Sequence, residues 1–167
     1  RLEQIKDERK KATATRLDEQ MNRLNERWTT HFTNVLDRLD DILGKIQVRL
    51  DKAASLGKDV SAVKTAIDAA KAAIASARTA VEAQAKKDYT ITFTSEEQLR
   101  TAFKAAKDQL HKDLTALRDG AVKSSRDAVQ NAARTLGGVP KVDEEPEESA
   151  APAPNSTTPT PSGTPTP

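Results

Sequence analysis

The segment DYTITFT, residues 88–94, lies between two stretches of helical sequence and differs in pattern from both. Tyr89, Ile91 and Phe93 alternate with threonines, which places the apolar side chains on one side of an extended chain. The sequence on either side repeats with the spacing of an α-helix. The sequence therefore predicts a single extended segment within an otherwise helical protein.

The first predicted helix covers residues 16–56 and carries a long apolar stripe. The stripe is Leu17, Met21, Leu24, Trp28, Phe32, Val35, Leu39, Ile42, Ile46, Leu50 and Ala53. Its mean spacing of about 3.6 residues is the period of a straight α-helix and not of a supercoiled one. Leu36 and Leu43 widen the stripe, so we expect this helix to contact more than one neighbour. Residues 1–15 carry few large apolar side chains, and we expect a frayed or helical extension.

Two further helices are predicted, at residues 60–87 and 95–136. Gly57 separates the first two helices, because glycine adopts the left-handed conformation there without steric cost. The second helix is rich in alanine and has a heptad stripe, namely Val60, Val63, Ile67, Ala70, Ile74, Ala77, Val81 and Gln84. Gly120 interrupts the third helix, and its pattern indicates either a tolerated surface glycine or a kink or close helix contact.

The extended segment has the length that this arrangement requires. The first and third predicted helices each hold about 42 residues, or roughly 63 Å, whereas the second is shorter by roughly 21 Å. Seven extended residues span roughly 23 Å, which replaces the missing turns. We therefore predict an all-α fold, in which residues 16–138 form an elongated antiparallel three-helix bundle with one extended segment. A disordered C-terminal tail follows the bundle.

In this bundle the apolar side of the extended segment covers the first and third helices. All five aromatic residues then gather at one end as a structural cluster, namely Trp28, Phe32, Tyr89, Phe93 and Phe103. A strand without a hairpin partner needs such cover. The alternative is that its open edge pairs with a second chain. We expect a monomer, with a dimer as the alternative.

Residues 139–167 are predicted to be a disordered linker. They begin with an acidic run and continue with Pro, Thr and Ser, so they cannot bury enough apolar surface to fold. Proline at this density favours an extended spacer, and Thr or Ser beside Pro is typical of an O-glycosylated stalk. Asn155 begins an Asn-Ser-Thr pattern that accepts N-linked sugar in secreted proteins. The alternative is a disordered tail without sugars.

The sequence offers little for catalysis. His31 and His111 are predicted at about the same height on two helices, where they could share a metal ion with Asp108. The alternative is that both are ordinary boundary residues, since no His-x-x-x-His or Glu-x-x-His spacing is present. Glycine-rich phosphate loops, Gly-x-Ser-x-Gly turns and EF-hand loops are also absent from the sequence. We assign no catalytic, cofactor-binding or metal-ligating residue and predict a protein that is not an enzyme.

Cysteine content and charge limit the kinds of site and partner that the sequence supports. The chain lacks cysteine, which excludes disulfides, thiolate catalysis and cysteine-based metal sites. Its net charge of +2 divides into −4 for residues 139–167 and +6 for the remainder, which could favour an acidic partner. Acidic and basic residues alternate along every segment, as on an ordinary solvated helix surface, so we expect no nucleic-acid partner. The first helix could bind a membrane surface from Trp28 to Leu50 if the bundle opened.

The helical region resembles a group of uncharacterised bacterial proteins. The resemblance rests on the sequences RLDEQMNRLNERW, LDRLDDILGKIQVRLDKAASLGKDVSAVKTAIDAAKAAIASARTAV and FKAAKDQLHKDLTALRDG, and it covers about residues 16–136. These proteins resemble one another as secreted or envelope helical bundles with an alanine-rich second helix and a Pro/Thr-rich tail. The resemblance implies an extracytoplasmic location and brings no catalytic residues.

We therefore expect a non-enzymatic structural or protein-interaction module, displayed outside the cytoplasm on a Pro/Thr-rich spacer. Its partner would be a protein or another envelope component. The alternative function is reversible binding of lipid or a membrane surface through the first helix. The alternative location is the cytoplasm.

Overall fold

The structure, a computed structural model, describes residue 5, residues 7–93 and residues 95–140. Helix α1 spans Glu8–Ser55 and helix α2 spans Ser61–Ala85. They run antiparallel, and a third helix that is parallel to α1 completes the bundle. The predicted fold of three helices with one extended segment is confirmed. The predicted linker lies outside the described residues from residue 141 onward, as does Asn155.

The third helix has three parts that follow a single 3-10 turn at Glu96–Gln98. Its α-helical parts are α3, Leu99–Leu117, and α4, Lys123–Gly137, and a π-helical turn at Arg118–Val122 joins them. Gly120 lies in the π-helical turn. A Cβ atom added to Gly120 would meet no atom within 4 Å, so a close helix contact does not explain this glycine.

Helix α1 begins eight residues before its predicted start. Asp7 caps the helix, because its Oδ1 accepts a hydrogen bond from the backbone N–H of Arg9 at 2.8 Å. Ile5 and Ala14 are buried in the core, and an ion pair joins Lys10 to Glu96 at the start of the third helix. Of the two expectations for residues 1–15, a frayed or a helical extension, the structure shows the helical one from Glu8 onward, where apolar packing and the cap stabilise it.

Gly57 ends α1 in a Schellman motif, as its predicted role required. Its φ angle is +71°, in the left-handed region. The N–H of Gly57 donates to the carbonyl of Ala54 at 2.9 Å, and the N–H of Lys58 donates to the carbonyl of Ala53 at 3.1 Å. These bonds satisfy the last carbonyls of α1 and reverse the chain into α2.

The buried seam of α1 differs from the predicted stripe. Its members are Ala14, Asp18, Met21, Asn25, Thr29, Phe32, Leu36, Leu39, Leu43, Ile46, Leu50 and Ala53. Eleven steps cover 39 residues, a mean spacing of about 3.5, which is the coiled-coil period. The predicted stripe of 3.6 is therefore wrong in detail. It included Leu24, Trp28 and Ile42, which are all at least 40% exposed.

The extended segment, residues 87–93, is here called the connector. Its burial alternates as predicted: Tyr89, Ile91 and Phe93 are buried, whereas Thr90 and Thr92 are exposed. No described residue forms a hydrogen-bonded β-strand. Two connector amides instead use side chains of α1 as acceptors, and the connector is therefore held by a helix and not by a sheet.

The two hydrogen bonds from the connector to α1 match the rise per residue of an extended chain and of an α-helix. The N–H of Tyr89 donates to Oδ1 of Asn22 at 3.0 Å, and the N–H of Ile91 donates to Oδ1 of Asp18 at 2.8 Å. Two extended residues advance roughly 6.7 Å, and four helical residues advance about 6 Å. Side chains spaced by four on α1 therefore match alternate amides of an antiparallel connector.

Candidate functional site

A groove lies between α1 and the third helix. Its volume is about 430 Å³. Its apolar lining consists of Met21, Leu24, Trp28, Phe32, Leu110 and Leu114, and its polar lining consists of Lys107, Asp108, His111, Thr115 and Arg118. Among the lining residues, Leu24 and Trp28 are 42% and 40% exposed. The groove therefore presents large apolar side chains to solvent.

The exposure of Leu24 and Trp28 follows from the polar residues beside them. Asn25 and Thr29 occupy the core-facing positions of α1 at this level and are 2% and 4% exposed. The hydroxyl of Thr29 donates to the carbonyl of Asn25 at 3.0 Å, so its polar group is satisfied. Leu24 and Trp28 directly precede these two residues in the sequence. Because Asn25 and Thr29 face the core, Leu24 and Trp28 face the groove instead.

Three rings of α1 pack together at the groove. The centroid of Trp28 lies 5.7 Å from that of Phe32 and 5.7 Å from that of His31, and the His31 contact is edge-on at 87°. Phe32 is buried and anchors the cluster to the core. These contacts hold the indole in one place while leaving part of it open to solvent.

The third helix, through α3 and the π-helical turn that follows it, gives the opposite side of the groove a polar and mainly basic edge. Lys107, His111 and Arg118 lie there at helical spacings of four and seven, with Asp108 also in the lining. The guanidinium of Arg118 makes two hydrogen bonds to the carboxylate of Asp119, at 2.7 and 3.0 Å. The third helix therefore adds a mainly basic edge to the apolar floor of the groove.

A partly buried polar network joins α1, α2 and α3 around the connector. The side chain of Asn25 donates to the carbonyl of Gln84 at 3.0 Å, and the side chain of Gln84 donates to Oδ1 of Asn25 at 3.0 Å. Gln84 also donates to the hydroxyl of Tyr89 at 2.6 Å, and that hydroxyl donates to Asp113 at 2.7 Å. Lys87 completes the network with a 2.9 Å ion pair to Asp113.

The protonation states of Tyr89 and Asp113 favour the hydrogen bonds of this network. Burial and the hydrogen bond to Asp113 raise the pKa of Tyr89 to about 12, so the phenol stays protonated at neutral pH. Partial burial opposes ionisation of Asp113, but hydrogen bonds from Lys87, Tyr89 and Gln109 outweigh it and lower the pKa of that carboxyl. A neutral phenol and an ionised, fully engaged carboxylate are suited to holding the connector in place.

The five aromatic residues of the predicted cluster differ in burial. Phe32, Tyr89 and Phe93 belong to the hydrophobic core, and Phe103 packs against that core. Trp28 lies at the groove and is half exposed.

The two histidines considered as metal ligands, His31 and His111, have different surroundings. His31 stacks against Trp28, and His111 lines the groove from α3; both are exposed. Within residues 7–93 and 95–140, no group of three or more His, Asp or Glu side chains is arranged to hold a metal ion.

Sequence reasoning missed the residues that anchor the connector. Asp18, Asn22 and Asn25 are absent from the predicted stripe, yet they lie at spacings of four and three on one face of α1. This spacing, next to a seven-residue alternating segment, is the signal that could have identified them. Asp113 carried no comparable signal, because its partners Lys87 and Tyr89 come from the connector.

Comparison with protein-family models, curated proteins and solved structures finds no match for this chain. Within the part of the chain that the structure describes, no helix has the length and apolar character needed to cross a membrane. The groove and its surroundings therefore supply the arguments about function.

Proposed function

We propose that this protein is a non-enzymatic interaction module that binds a protein partner through the groove between α1 and α3. The half-exposed pair Leu24 and Trp28 carries the proposal, because large aromatic side chains at the centre of a contact supply most of its binding energy. The three rings at the groove keep the indole ordered before a partner arrives, which lowers the entropic cost of binding.

The dimensions of the groove support a partner that inserts side chains. A volume of about 430 Å³ is within the range of small-molecule pockets and accommodates a few apolar side chains. The floor residues Leu110 and Leu114 are buried, so the groove is already formed without a ligand. A partner would therefore meet a shaped apolar surface.

The proposal includes display of the bundle outside the cytoplasm on residues 139–167. The support is compositional: this segment is rich in Pro, Thr and Ser, which favours an extended spacer. Fractionation of source cells, followed by the intact mass of the native protein, tests this part. Recovery in the cytoplasm at 18.1 kDa would contradict it.

Site-specific photo-crosslinking tests the groove as the binding surface. A photoreactive amino acid replaces Leu24 at the groove or, as a matched control, Val48. Val48 is also an apolar residue of α1 and is 69% exposed, but it does not line the groove. We expect a discrete adduct in source cells from position 24 and not from position 48. Equal labelling at both positions, or no adduct at position 24, would contradict the proposal.

Reversible binding to a membrane surface through α1 is the second candidate function. The exposure of Ile42 and Trp28 on one side of α1 favours it, since apolar side chains must reach the bilayer. Flotation with liposomes tests it directly. Failure of the protein to float with anionic or neutral liposomes would remove this candidate.

A further inference from the structure

Charge on α1 alternates along the sequence but is sorted around the helix. Arg16, Arg27, Arg38 and Arg49 are spaced by 11 residues, which is almost three full turns, so they form one line along α1. All four are exposed. Arg27 follows Leu24 by three residues, and therefore this basic line runs beside the groove.

Three acidic residues of α1 lie on another side of the helix. Glu26, Asp37 and Asp40 are separated by 11 and three residues, so they share a line of their own. The guanidinium of Arg78 on α2 pairs with Asp37 at 2.7 Å and with Asp40 at 2.5 Å. The acidic line is therefore on the α2 side of α1 and is partly neutralised within the bundle.

The third helix also carries its basic residues on one side, at the groove. Arg100, Lys104, Lys107, His111 and Arg118 follow one another at spacings of four, three, four and seven, so they share one exposed face. Lys107, His111 and Arg118 of this face line the groove. The groove is therefore bordered by basic side chains on both helices, although Asp108 is also in its lining.

We propose that the partner segment bound in this groove is an acidic amphipathic helix. The inference rests on the proposed function of the groove and adds the chemistry of its partner. Apolar side chains at helical spacing would contact Leu24, Trp28 and the floor, while Glu and Asp on the flanks would face Arg27 and Lys107. The partner would thus take the place of a fourth helix packed along α1 and α3.

Shape and charge favour this partner over two others. A bilayer is flat, whereas Trp28 and Leu24 border a concave groove, so an inserted helix covers them better than a lipid surface does. A second copy of the bundle would bring the same basic face to the interface, and like charges there would oppose association. Neither objection applies to a helix with acidic flanks.

Two synthetic helical peptides test the inference. Both carry the same leucine stripe and lack tryptophan; one has glutamate at the flanking positions, and its twin has lysine there. Trp28 is the only tryptophan of the chain, so its fluorescence reports the groove directly. Vesicles of phosphatidylglycerol form a third arm. The protein is the full chain, as wild type and as an Arg27→Glu/Lys107→Glu variant.

We expect the glutamate peptide to shift the emission of Trp28 saturably and to bind at least about tenfold more tightly than the lysine twin, since several exposed charge pairs together reach that factor. The Arg27→Glu/Lys107→Glu variant should abolish or reverse the preference. A Lys64→Glu/Lys71→Glu variant makes the same change in net charge on α2 and should retain it. Added salt should weaken binding of the glutamate peptide.

Three results would overturn the inference: equal binding of the two peptides, no binding of either, or a response of Trp28 to the vesicles alone. The proposed function fails separately, through the crosslinking experiment at Leu24. An adduct at Leu24 together with equal binding of the two peptides would keep the groove as a protein-binding surface and reject the acidic partner.

Discussion

The hydroxyl of Tyr89 donates a 2.7 Å hydrogen bond to Oδ2 of Asp113 and thereby joins the connector to α3. The same hydroxyl accepts a hydrogen bond from Gln84 of α2 at 2.6 Å. One phenol therefore links the connector to two helices, and its loss should be felt across the bundle.

Removal of this hydroxyl should destabilise the fold. In Tyr89→Phe, the buried donor of Gln84 loses one acceptor and the carboxylate of Asp113 loses one donor, at a cost of about 1–3 kcal/mol. Chemical denaturation measures the free energy of unfolding. Thr92→Ser, an exposed change in the same connector, should remain within about 0.5 kcal/mol of the wild type. Equal midpoints for Tyr89→Phe and the wild type would refute the role of the hydroxyl.

Phe93 should behave as a core residue although it belongs to the connector. It is 7% exposed and part of the main hydrophobic cluster. Phe93→Ala should cost about 3–5 kcal/mol, the usual range for truncating a buried phenylalanine. Thermal unfolding of the variant, compared with the exposed change Thr90→Ala, measures the effect. An unchanged melting curve would show that the connector is not packed against the helices.

The carboxylate of Asp18 should matter as an acceptor and not through its charge. Asp18→Asn keeps a side-chain oxygen for the N–H of Ile91, whereas Asp18→Ala leaves that buried amide without this acceptor, at a cost of about 1–3 kcal/mol. Hydrogen exchange at the Ile91 amide should accelerate in Asp18→Ala and change little in Asp18→Asn. Equal acceleration in both variants would indicate that charge is the important property.

Alkaline pH should weaken the bundle through Tyr89. Its pKa is about 12 in the folded state and about 10 in an unfolded chain. The stability that burial of the neutral phenol provides is therefore complete below pH 10 and is lost as pH rises through 12, by up to about 1.4 kcal/mol per pH unit. Tyr89 is the only tyrosine, so ultraviolet absorbance follows its ionisation directly. The Tyr89→Phe variant should lack this component, and a native phenol that titrates near 10 would contradict the prediction.

Two glycines should respond oppositely to alanine. Gly57 has a φ angle of +71°, which costs a residue with a Cβ atom about 1–2 kcal/mol, so Gly57→Ala should destabilise the protein. Gly120 has open space around it and lies in a helix, so Gly120→Ala should stabilise it by up to about 1 kcal/mol. Unfolding midpoints measure both. A loss of stability in Gly120→Ala would show that the π-helical turn itself requires glycine.

The sequence predicts the connector well, because its signal is local. The alternation of Tyr89, Ile91 and Phe93 with threonine specifies which side is buried, and the length of α2 specifies where such a segment is needed. The seam of α1 is less predictable near the groove. Burial of Asn25 depends on Gln84, which is 59 residues away in sequence, and hydrophobicity alone favours Leu24 and Trp28 for the core.

Sequence analysis did not predict the groove, because the groove also depends on contacts between distant parts of the chain. It exists because polar side chains take the inward positions of α1 and leave Trp28 outside, and this depends on contacts between distant parts of the chain. The sorting of charge is different. The 11-residue spacing of Arg16, Arg27 and Arg38 is visible in the sequence once charges are placed around a helix instead of along it.

The match between alternate connector amides and every fourth residue of α1 uncouples the length of α2 from the length of the bundle. One inserted residue in the connector would exchange its buried and exposed sides, which the packing of Ile91 forbids. Two inserted residues together with four residues fewer in α2 would preserve the alternation of buried and exposed side chains. Proteins built on this plan could therefore vary in the proportions of helix and connector by discrete steps while keeping the same overall height.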